Sequence, residues 1–290
     1  MTAPPPFQPD GTVYGTLLNF RCEAALWADR AAEPPYKGAP RAPVLYIKTA
    51  NTFTAAGAAI PLPARAPEVE VGASVGLVFG NFKDFWPLPS VDRSLFAMNS
   101  GLTDTLAGVA GLVLLNDLSL PHTSYYRPPV KFRNPDGFLG VGPRVVPLAA
   151  VGDLAALTLT VRINGELRQT VPLSTLVRDA ATLLADVRDF QTLLPGDILM
   201  LGTDCLDDGT RPRAQVGDRI EISAPGFQPL VNTIVREVSA DGPPLGAKQG
   251  AAESGSLFGP SNPAQAGLEP RASAPLGGSE DTAVPSVGVP

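Results

Sequence analysis

One carboxylate in the sequence stands where it could take part in chemistry. Asp117 ends the apolar run 112–115, and an acid at the end of a buried strand costs free energy unless it is paired or binds a cation. Arg127 and Lys131 follow closely, next to Tyr126. A carboxylate, cations and aromatic rings close together suit a metal-assisted site for an anionic substrate. Solvated loop charges explain the same pattern equally well.

The other residue types that often carry catalysis are scarce. His122 is the single histidine, which excludes mechanisms that need two imidazoles, and an ordinary surface histidine is the alternative to a catalytic one. Cys22 and Cys205 are too few for a disulfide framework and lack the CxxC spacing of metal sites. The sequence also contains no GxSxG, GxGxxG or P-loop motif.

Composition limits the partners of the chain. Apolar residues make up 44% of the 290 residues and charged residues 17%, which predicts a folded domain. The net charge of −6 argues against nucleic acid, because phosphate binders need clustered Lys and Arg. The N-terminus does not resemble a signal peptide, and no apolar run reaches membrane-spanning length. We therefore expect a cytoplasmic protein that binds neither nucleic acid nor membranes.

The elements that must position these residues are mainly strands. Apolar and polar residues alternate over 157–163, and Asn164-Gly165 follows, which predicts a strand and a tight hairpin turn. The short apolar runs 75–79 and 198–201 are typical of strands buried on both faces. A further alternating strand is predicted over 219–224.

Two helices are predicted. One begins at Ser174 as its N-terminal cap and ends before Pro195. The other covers 21–31, with Trp27 on its buried side. The apolar face of the first helix consists of residues spaced at i, i+4, i+7, i+8 and i+11: Leu176, Ala180, Leu183, Leu184 and Val187.

These patterns predict a predominantly β, α+β domain over residues 11–240. Residues 1–10 are expected to form a frayed N-terminus. Residues 241–290 are rich in Pro, Gly, Ala and Ser, and such a segment buries too little apolar surface to offset its ordering entropy. We expect it to be a disordered tail.

Four segments together resemble the fumarylacetoacetate hydrolase family. They are PVLYIKTANTFTAAGAAIPLP (43–63), NDLSLPHTSYYRPPVKFRNPDGF (116–138), INGELRQ (163–169) and LLPGDILMLGT (193–203). The resemblance covers about residues 11–237 and implies a layered β-sheet roll. It also implies a lyase or isomerase of aromatic catabolism, which decarboxylates or isomerises ring-cleavage products. The substrates would be small dicarboxylic or tricarboxylic 2-oxo acids.

The resemblance implies a set of site residues. Family members hold Mg²⁺ or another divalent cation with a Glu-x-Glu pair and a later aspartate, because a hard cation stabilises the enolate formed from a 2-oxo acid. Asp117 matches the aspartate and Lys131 the lysine that meets the substrate. Thr203 matches a threonine on the opposite loop. Tyr126 and Arg127 are expected to contact the substrate as well.

The sequence departs from the family pattern at two places. Gly72 and Ser74 stand at the two glutamate positions, so the metal site is degenerate. The motif Glu68-Val-Glu70 is either a shifted replacement, about 13 Å farther along a strand, or a pair of solvated acids at the strand entry. The family's His-x-x-Glu lid dyad falls at Glu23 and Leu26, so its histidine is missing.

These departures leave three hypotheses. The chain is one subunit of an isomerase/decarboxylase, or it is a catalytically silent scaffold that completes a related subunit. The third hypothesis is a hydrolase or isomerase of another 2-oxo acid with an altered site. The expected partner is a paralogous metal-bearing subunit, or a second copy of the chain in a homodimer.

Overall fold

The computed structural model describes residues 5–34, 38–80, 106–122 and 130–237. Within these ranges strands predominate and helices are short, so the predicted fold class is confirmed. Tyr126, Arg127 and the predicted tail lie outside the described residues. No helix in the described ranges is both long enough and apolar enough to cross a membrane.

The described strands form three sheets. In chain order the strands are β1 (Val13–Leu17), β2 (Val44–Lys48), β3 (Phe53–Ala55), β4 (Ala59–Leu62), β5 (Val69–Glu70), β6 (Ala73–Phe79), β7 (Val109–Asp117), β8 (Leu139–Val141), β9 (Val146–Pro147), β10 (Thr158–Ile163), β11 (Glu166–Pro172), β12 (Ile198–Met200), β13 (Arg213–Ala214), β14 (Arg219–Ser223) and β15 (Leu230–Arg236). The largest sheet has the order β2-β1-β12-β6-β7-β8-β3, with β9 also paired to β7. The second has the order β11-β10-β14-β15-β4, and β13 pairs with β5.

The largest sheet must curl, and the reason lies in a short connection. Its two end strands, β2 and β3, are joined by only residues 49–52, which span at most about 18 Å. Seven strands about 4.8 Å apart would separate those ends by about 29 Å if the sheet were flat. The curl therefore brings β2 close to the far part of the sheet, where β7 and β8 end.

The middle of the large sheet is buried on both faces. On one face Val75, Leu77 and Leu112 join the main hydrophobic core, which includes residues of β10 and β14. On the other face Val113 and Leu115 belong to a second cluster. Burial on both faces explains why β6 and β7 are continuous apolar runs rather than alternating ones.

The predicted hairpin and strands are confirmed. Asn164 and Gly165 both have positive φ angles, 54° and 84°, between β10 and β11, as a tight turn of this type requires. The runs predicted over 75–79, 198–201 and 219–224 lie in β6, β12 and β14, except that the last residue of each of the latter two runs falls just outside its strand.

The described helices are α1 (Arg21–Ala32), α2 (Val130–Arg133), α3 (Leu148–Val151) and α4 (Ala180–Arg188). The prediction of α1 is confirmed, but the predicted start of α4 at Ser174 is wrong. Asp179 caps α4, its carboxylate accepting a hydrogen bond from Thr182 N at 2.7 Å. Residues 176–178 stay outside the helix because Asn19 binds the backbone of Val177 and Arg178.

Candidate active-site cleft

Asp117 is the last residue of β7 and is completely surrounded by protein. Its Oδ1 lies 2.9 Å from the ammonium of Lys48, and its Oδ2 lies 2.7 Å from Nη1 of Arg133. The hydroxyl of Tyr46 donates a hydrogen bond to the same Oδ2. Tyr46 and Lys48 are two residues apart on β2, so they lie on one face of that strand. The curl of the sheet brings this face to Asp117.

The partners of Asp117 fix its ionisation. Burial would raise the pKa of its carboxyl, but the charges of Lys48 and Arg133 outweigh burial and hold that pKa below its ordinary value. Burial, followed by the Asp117 carboxylate, raises the pKa of Tyr46 well above its ordinary value, so Tyr46 is a neutral donor. Two cations and one anion therefore meet in this cluster.

Lys48 connects several elements through its ammonium group. It donates hydrogen bonds to the carbonyl oxygens of Leu118 at 3.3 Å and Phe138 at 2.8 Å, and also to that of Arg133. Burial lowers the pKa of Lys48 to about 8, while Asp117 opposes this change. At neutral pH a protein cation thus already contacts the aspartate that the family pattern assigns to the metal.

Neither glutamate position of the family pattern carries an acid, and the first of them, Gly72, has no room for one. Gly72 lies opposite Asp117, whose N–H donates to the Gly72 carbonyl at 2.8 Å. A Cβ on Gly72 would lie 2.6 Å from Cγ2 of Thr203 and 2.7 Å from the Asp117 carbonyl oxygen. Ser74 donates its hydroxyl hydrogen to the Gly202 carbonyl at 2.7 Å. These residues do not fit the divalent cation of the family.

Glu68 and Glu70 do not replace the missing pair. β5 pairs with β13, and both acids face Arg213 of that strand. Glu68 forms an ion pair with Arg213, and Glu70 Oε1 lies 3.9 Å from its Nη2. Both acids are partly exposed. The structure therefore places them at the strand entry, beside an arginine rather than beside Asp117.

A small cleft of about 70 Å³ lies beside α1, where the family pattern places its lid dyad. Glu23 is buried and accepts a hydrogen bond from Nη2 of Arg211 at 2.9 Å, and its second oxygen accepts one from Leu18 N at 2.9 Å. Leu26, at the second lid position, is half exposed. The cleft is lined by Glu23, Leu26, Trp27, Glu70, His122, Cys205, Gly209 and Arg211.

His122 reaches this cleft from the segment after β7. Its Nδ1 lies 2.9 Å from the Leu120 carbonyl oxygen, so Nδ1 carries the proton when the ring is neutral, because a carbonyl only accepts. The ring stacks on Phe132 at 4.8 Å between centroids. Burial lowers the pKa of His122, which favours this neutral form.

The two cysteines, far apart in sequence, meet at the same cleft. Sγ of Cys205 lies 3.1 Å from Sγ of Cys22. One carboxylate oxygen of Asp204 lies within 4.8 Å of both sulfur atoms. Burial, followed by the neighbouring Cys22 thiol, raises the pKa of Cys205, and burial raises that of Asp204. Sequence spacing gave no sign of this group, because 183 residues separate the two cysteines.

The remaining site residues predicted from sequence are not all brought together. Thr203 is buried against Gly72, whose carbonyl accepts the Asp117 N–H. Lys131 is exposed, and its ammonium lies 5.9 Å from the centre of the Phe132 ring. Arg133, two residues later, binds Asp117 together with Lys48. Its guanidinium also lies over the Tyr46 ring at 4.6 Å.

Sequence reasoning missed the roles of Lys48, Tyr46, Arg133 and Arg211. A signal existed for the first two, because Tyr46 and Lys48 alternate with apolar residues within a segment that already resembled the family. Arg211 follows a loop with no regular pattern, and nothing in the sequence pairs it with Glu23.

The fold and this site together define the class of protein. Residues 12–235 match the family described as fumarylacetoacetate (FAA) hydrolase C-terminal, and the chain belongs to the fumarylacetoacetate hydrolase family. The 4-hydroxyphenylacetate degradation bifunctional isomerase/decarboxylase of Escherichia coli is 35% identical over 227 residues, which are 78% of this chain and 48% of that protein. The chain thus spans about half the length of the curated relatives it matches first.

Solved structures show the same fold. The 2-hydroxyhepta-2,4-diene-1,7-dioate isomerase from Mycobacterium marinum has a TM-score of 0.56 and 23% identity, covering 78% of this chain and 75% of that chain. The maleylpyruvate hydrolase from Sphingobium sp. SYK-6 also has a TM-score of 0.56 and 23% identity, covering 79% and 71%.

Proposed function

We propose that this chain is one half of a two-part isomerase/decarboxylase in 4-hydroxyphenylacetate (homoprotocatechuate) degradation. Its substrate would be 5-carboxymethyl-2-oxohex-3-ene-1,7-dioate or the decarboxylated product, 2-hydroxyhepta-2,4-diene-1,7-dioate. The observation that carries the proposal is the match to about half of the Escherichia coli enzyme at 35% identity, combined with an altered ligand set at Gly72, Ser74 and Asp117.

The altered ligand set supports a division of labour between two halves. Lys48 and Arg133 already neutralise Asp117, and Thr203 fills the space that an acid at position 72 would need. A chain built in this way depends on another domain for chemistry that needs a hard divalent cation. That domain would be a paralogous subunit with an intact Glu-x-Glu pair.

The substrate is an anion, and the proposal assigns the segment after β7 to its recognition. Arg127 and Lys131 supply positive charge for substrate carboxylates, and Tyr126 supplies a hydroxyl donor. Lys131 is exposed and therefore accessible to a ligand. Thr203, which matches the family's threonine on the opposite loop, would complete this recognition, and it is buried next to Gly72.

Pairing follows from the shared fold of the two halves. Two copies of one fold can meet through equivalent surfaces related by a pseudo-two-fold axis, as they do in isologous dimers. Permanent interfaces of this kind bury more than about 2,000 Å². We therefore propose a heterodimer with the metal-bearing paralogue, with a homodimer as the alternative assembly.

The test is turnover by the chain alone, by the metal-bearing paralogue alone and by the co-expressed pair. Decarboxylation is followed as CO₂ release and isomerisation as the change in dienol absorbance. The proposal predicts a co-eluting complex in size-exclusion chromatography with light scattering, and a higher rate for the pair than for the sum of its parts. A chain that ignores the paralogue and turns over the substrate alone contradicts it.

A second candidate, an altered-site enzyme, is favoured by one observation at Arg133. Nε and Nη2 of this buried side chain have no hydrogen-bond acceptor among the described residues, and the surrounding cluster carries one more cation than anion. A substrate carboxylate would balance that charge. Unaided turnover that is lost in Arg133→Gln would establish this candidate. A pair whose rate equals that of the paralogue alone would identify the chain as a silent scaffold.

A further inference from the structure

A group of soft and anionic donors lies in the cleft, separate from Asp117 and its cations. Cys22 comes from the first turn of α1, and Asp204 and Cys205 come from the loop after β12. The two sulfurs are 3.1 Å apart, and one oxygen of Asp204 completes a group in which all atoms lie within 4.8 Å of one another. Both cysteines are free thiols and partly exposed, so a solute can reach them.

The charges around this group favour a cation. Carboxylates of Glu23 and Glu70 line the cleft together with the guanidinium of Arg211 and the thiol of Cys205, and the carboxylate of Asp204 lies beside that thiol. Glu23 already binds Arg211, and Glu70 lies 3.9 Å from Arg213. Arg213 is shared between Glu70 and Glu68, so the acids Glu23, Glu68 and Glu70 already outnumber the two arginines before Asp204 is counted. Such surroundings attract a positive ion.

The donor types decide which cation fits. Thiolates and imidazoles suit Zn²⁺ and other soft or borderline ions, whereas Mg²⁺ and Mn²⁺ prefer oxygen donors. Zn–S bonds of about 2.3 Å in a tetrahedron place two sulfurs about 3.8 Å apart, so the sulfurs of Cys22 and Cys205 need to separate by less than about 1 Å. Asp204 Oδ1 accepts a hydrogen bond from Cys205 N at 2.9 Å. This hydrogen bond fixes the orientation of the Asp204 carboxylate, as hydrogen bonds to metal ligands commonly do.

We propose that Cys22, Asp204 and Cys205 form a binding site for a thiophilic divalent cation of the Zn²⁺ class. Three protein ligands leave a fourth position for water, as in open tetrahedral zinc sites. On binding, the two thiol protons pass to solvent. The ion would link α1 to the loop that carries Thr203 and would sit at the cleft. This site is independent of the proposed function, because it does not use Asp117 or a partner subunit.

The test uses the full chain, reduced with a phosphine so that no added thiol competes, with both free thiols verified by titration. Co²⁺ is added first, because thiolate ligation gives a charge-transfer band that carboxylates do not, and Zn²⁺ is then added to displace it. We expect one ion per chain and loss of the band in Cys22→Ser and in Cys205→Ser. Asp204→Asn should weaken binding about tenfold or more.

The matched control is Asp208→Asn, an exposed acid in the same loop, which should bind as the unmodified chain does. Circular dichroism verifies that each variant is folded. A reduced, folded chain that gives no charge-transfer band overturns the proposal, as does a band that survives in both serine variants. A chain purified with a Cys22–Cys205 disulfide that takes up no ion after reduction identifies the cysteines as a redox pair and also overturns it.

Discussion

Replacing the charged members of the Asp117 cluster should destabilise the protein to unequal extents. Asp117→Asn removes the counter-charge of the buried Arg133 guanidinium and of the buried Lys48 side chain, and both side chains are at most 1% exposed. Removing one partner of a buried ion pair costs about 3–5 kcal/mol, and the upper part of that range is expected here. Typical folded domains have only about 5–15 kcal/mol of total stability, so a large drop in the urea midpoint follows.

Lys48→Met should cost less, although it removes a charge from the same cluster. Asp117 keeps Arg133 and Tyr46 as partners, so the remaining pair is electrically balanced. The loss is that of hydrogen bonds to the carbonyls of Leu118, Phe138 and Arg133. Each hydrogen bond is worth about 1 kcal/mol. Part of this loss is offset, because the variant no longer buries a charged ammonium group. We expect about 2 kcal/mol.

The assay is equilibrium unfolding in urea followed by circular dichroism, with the slope of the transition compared among variants. The double variant Lys48→Met/Asp117→Asn should be less destabilised than the sum of the single variants, because both changes remove the same Lys48–Asp117 ion pair. Glu166→Gln, in an exposed pair with Arg168, is the control and should change stability by less than about 0.5 kcal/mol. Equal losses for Lys48→Met and Asp117→Asn, or strictly additive losses, would refute the reasoning.

Three further predictions concern pH, packing and the C-terminal segment. The pKa of Lys48 falls from 10.5 to about 8 on folding, so the unfolded chain binds more protons than the folded chain between pH 8 and 10.5. The stability of the unmodified chain relative to Lys48→Met should therefore rise with pH in this range, by at most about 1.4 kcal/mol per pH unit. Parallel pH profiles for the two proteins would contradict this. Gly72→Ala should destabilise the protein by about 1–3 kcal/mol, because the new Cβ would lie 2.6 Å from Thr203 Cγ2. Thr203→Ser removes that methyl group, so the double variant should recover part of the lost stability. A chain ending at Ala240 should melt at the same temperature as the full chain, since the segment beyond it offers no core; a drop of many degrees would show that the segment docks.

The sequence was sufficient to predict elements whose patterns are local. The hairpin at Asn164-Gly165 and the buried runs in β6 and β12 depend on residues a few positions apart, and each is where it was expected. The start of α4 was not predicted, because Asn19, 159 positions before Arg178 in the chain, binds the backbone of the preceding segment. Propensity alone cannot register such a contact.

In the candidate site, too, only the feature with a local sequence signal was predicted. Asp117 was identified because an acid at the end of an apolar run is unusual in any fold. Its partners were missed because they depend on the curl of the sheet, which brings Lys48 from β2 to the end of β7. The meeting of Cys22 and Cys205 likewise depends on a contact across 183 residues. Local spacing therefore identified one carboxylate, while long-range packing decided what it binds.

Lys48 and Arg133 take the place of the family's hard cation at Asp117. Titration of the isolated chain with Mn²⁺ by calorimetry tests this most directly, with Asp117→Ala and Glu70→Ala as companion variants. We expect no tight, stoichiometric binding. Tight binding of one Mn²⁺ that is lost in Asp117→Ala would contradict it, and binding lost instead in Glu70→Ala would establish the shifted acidic pair as the metal site.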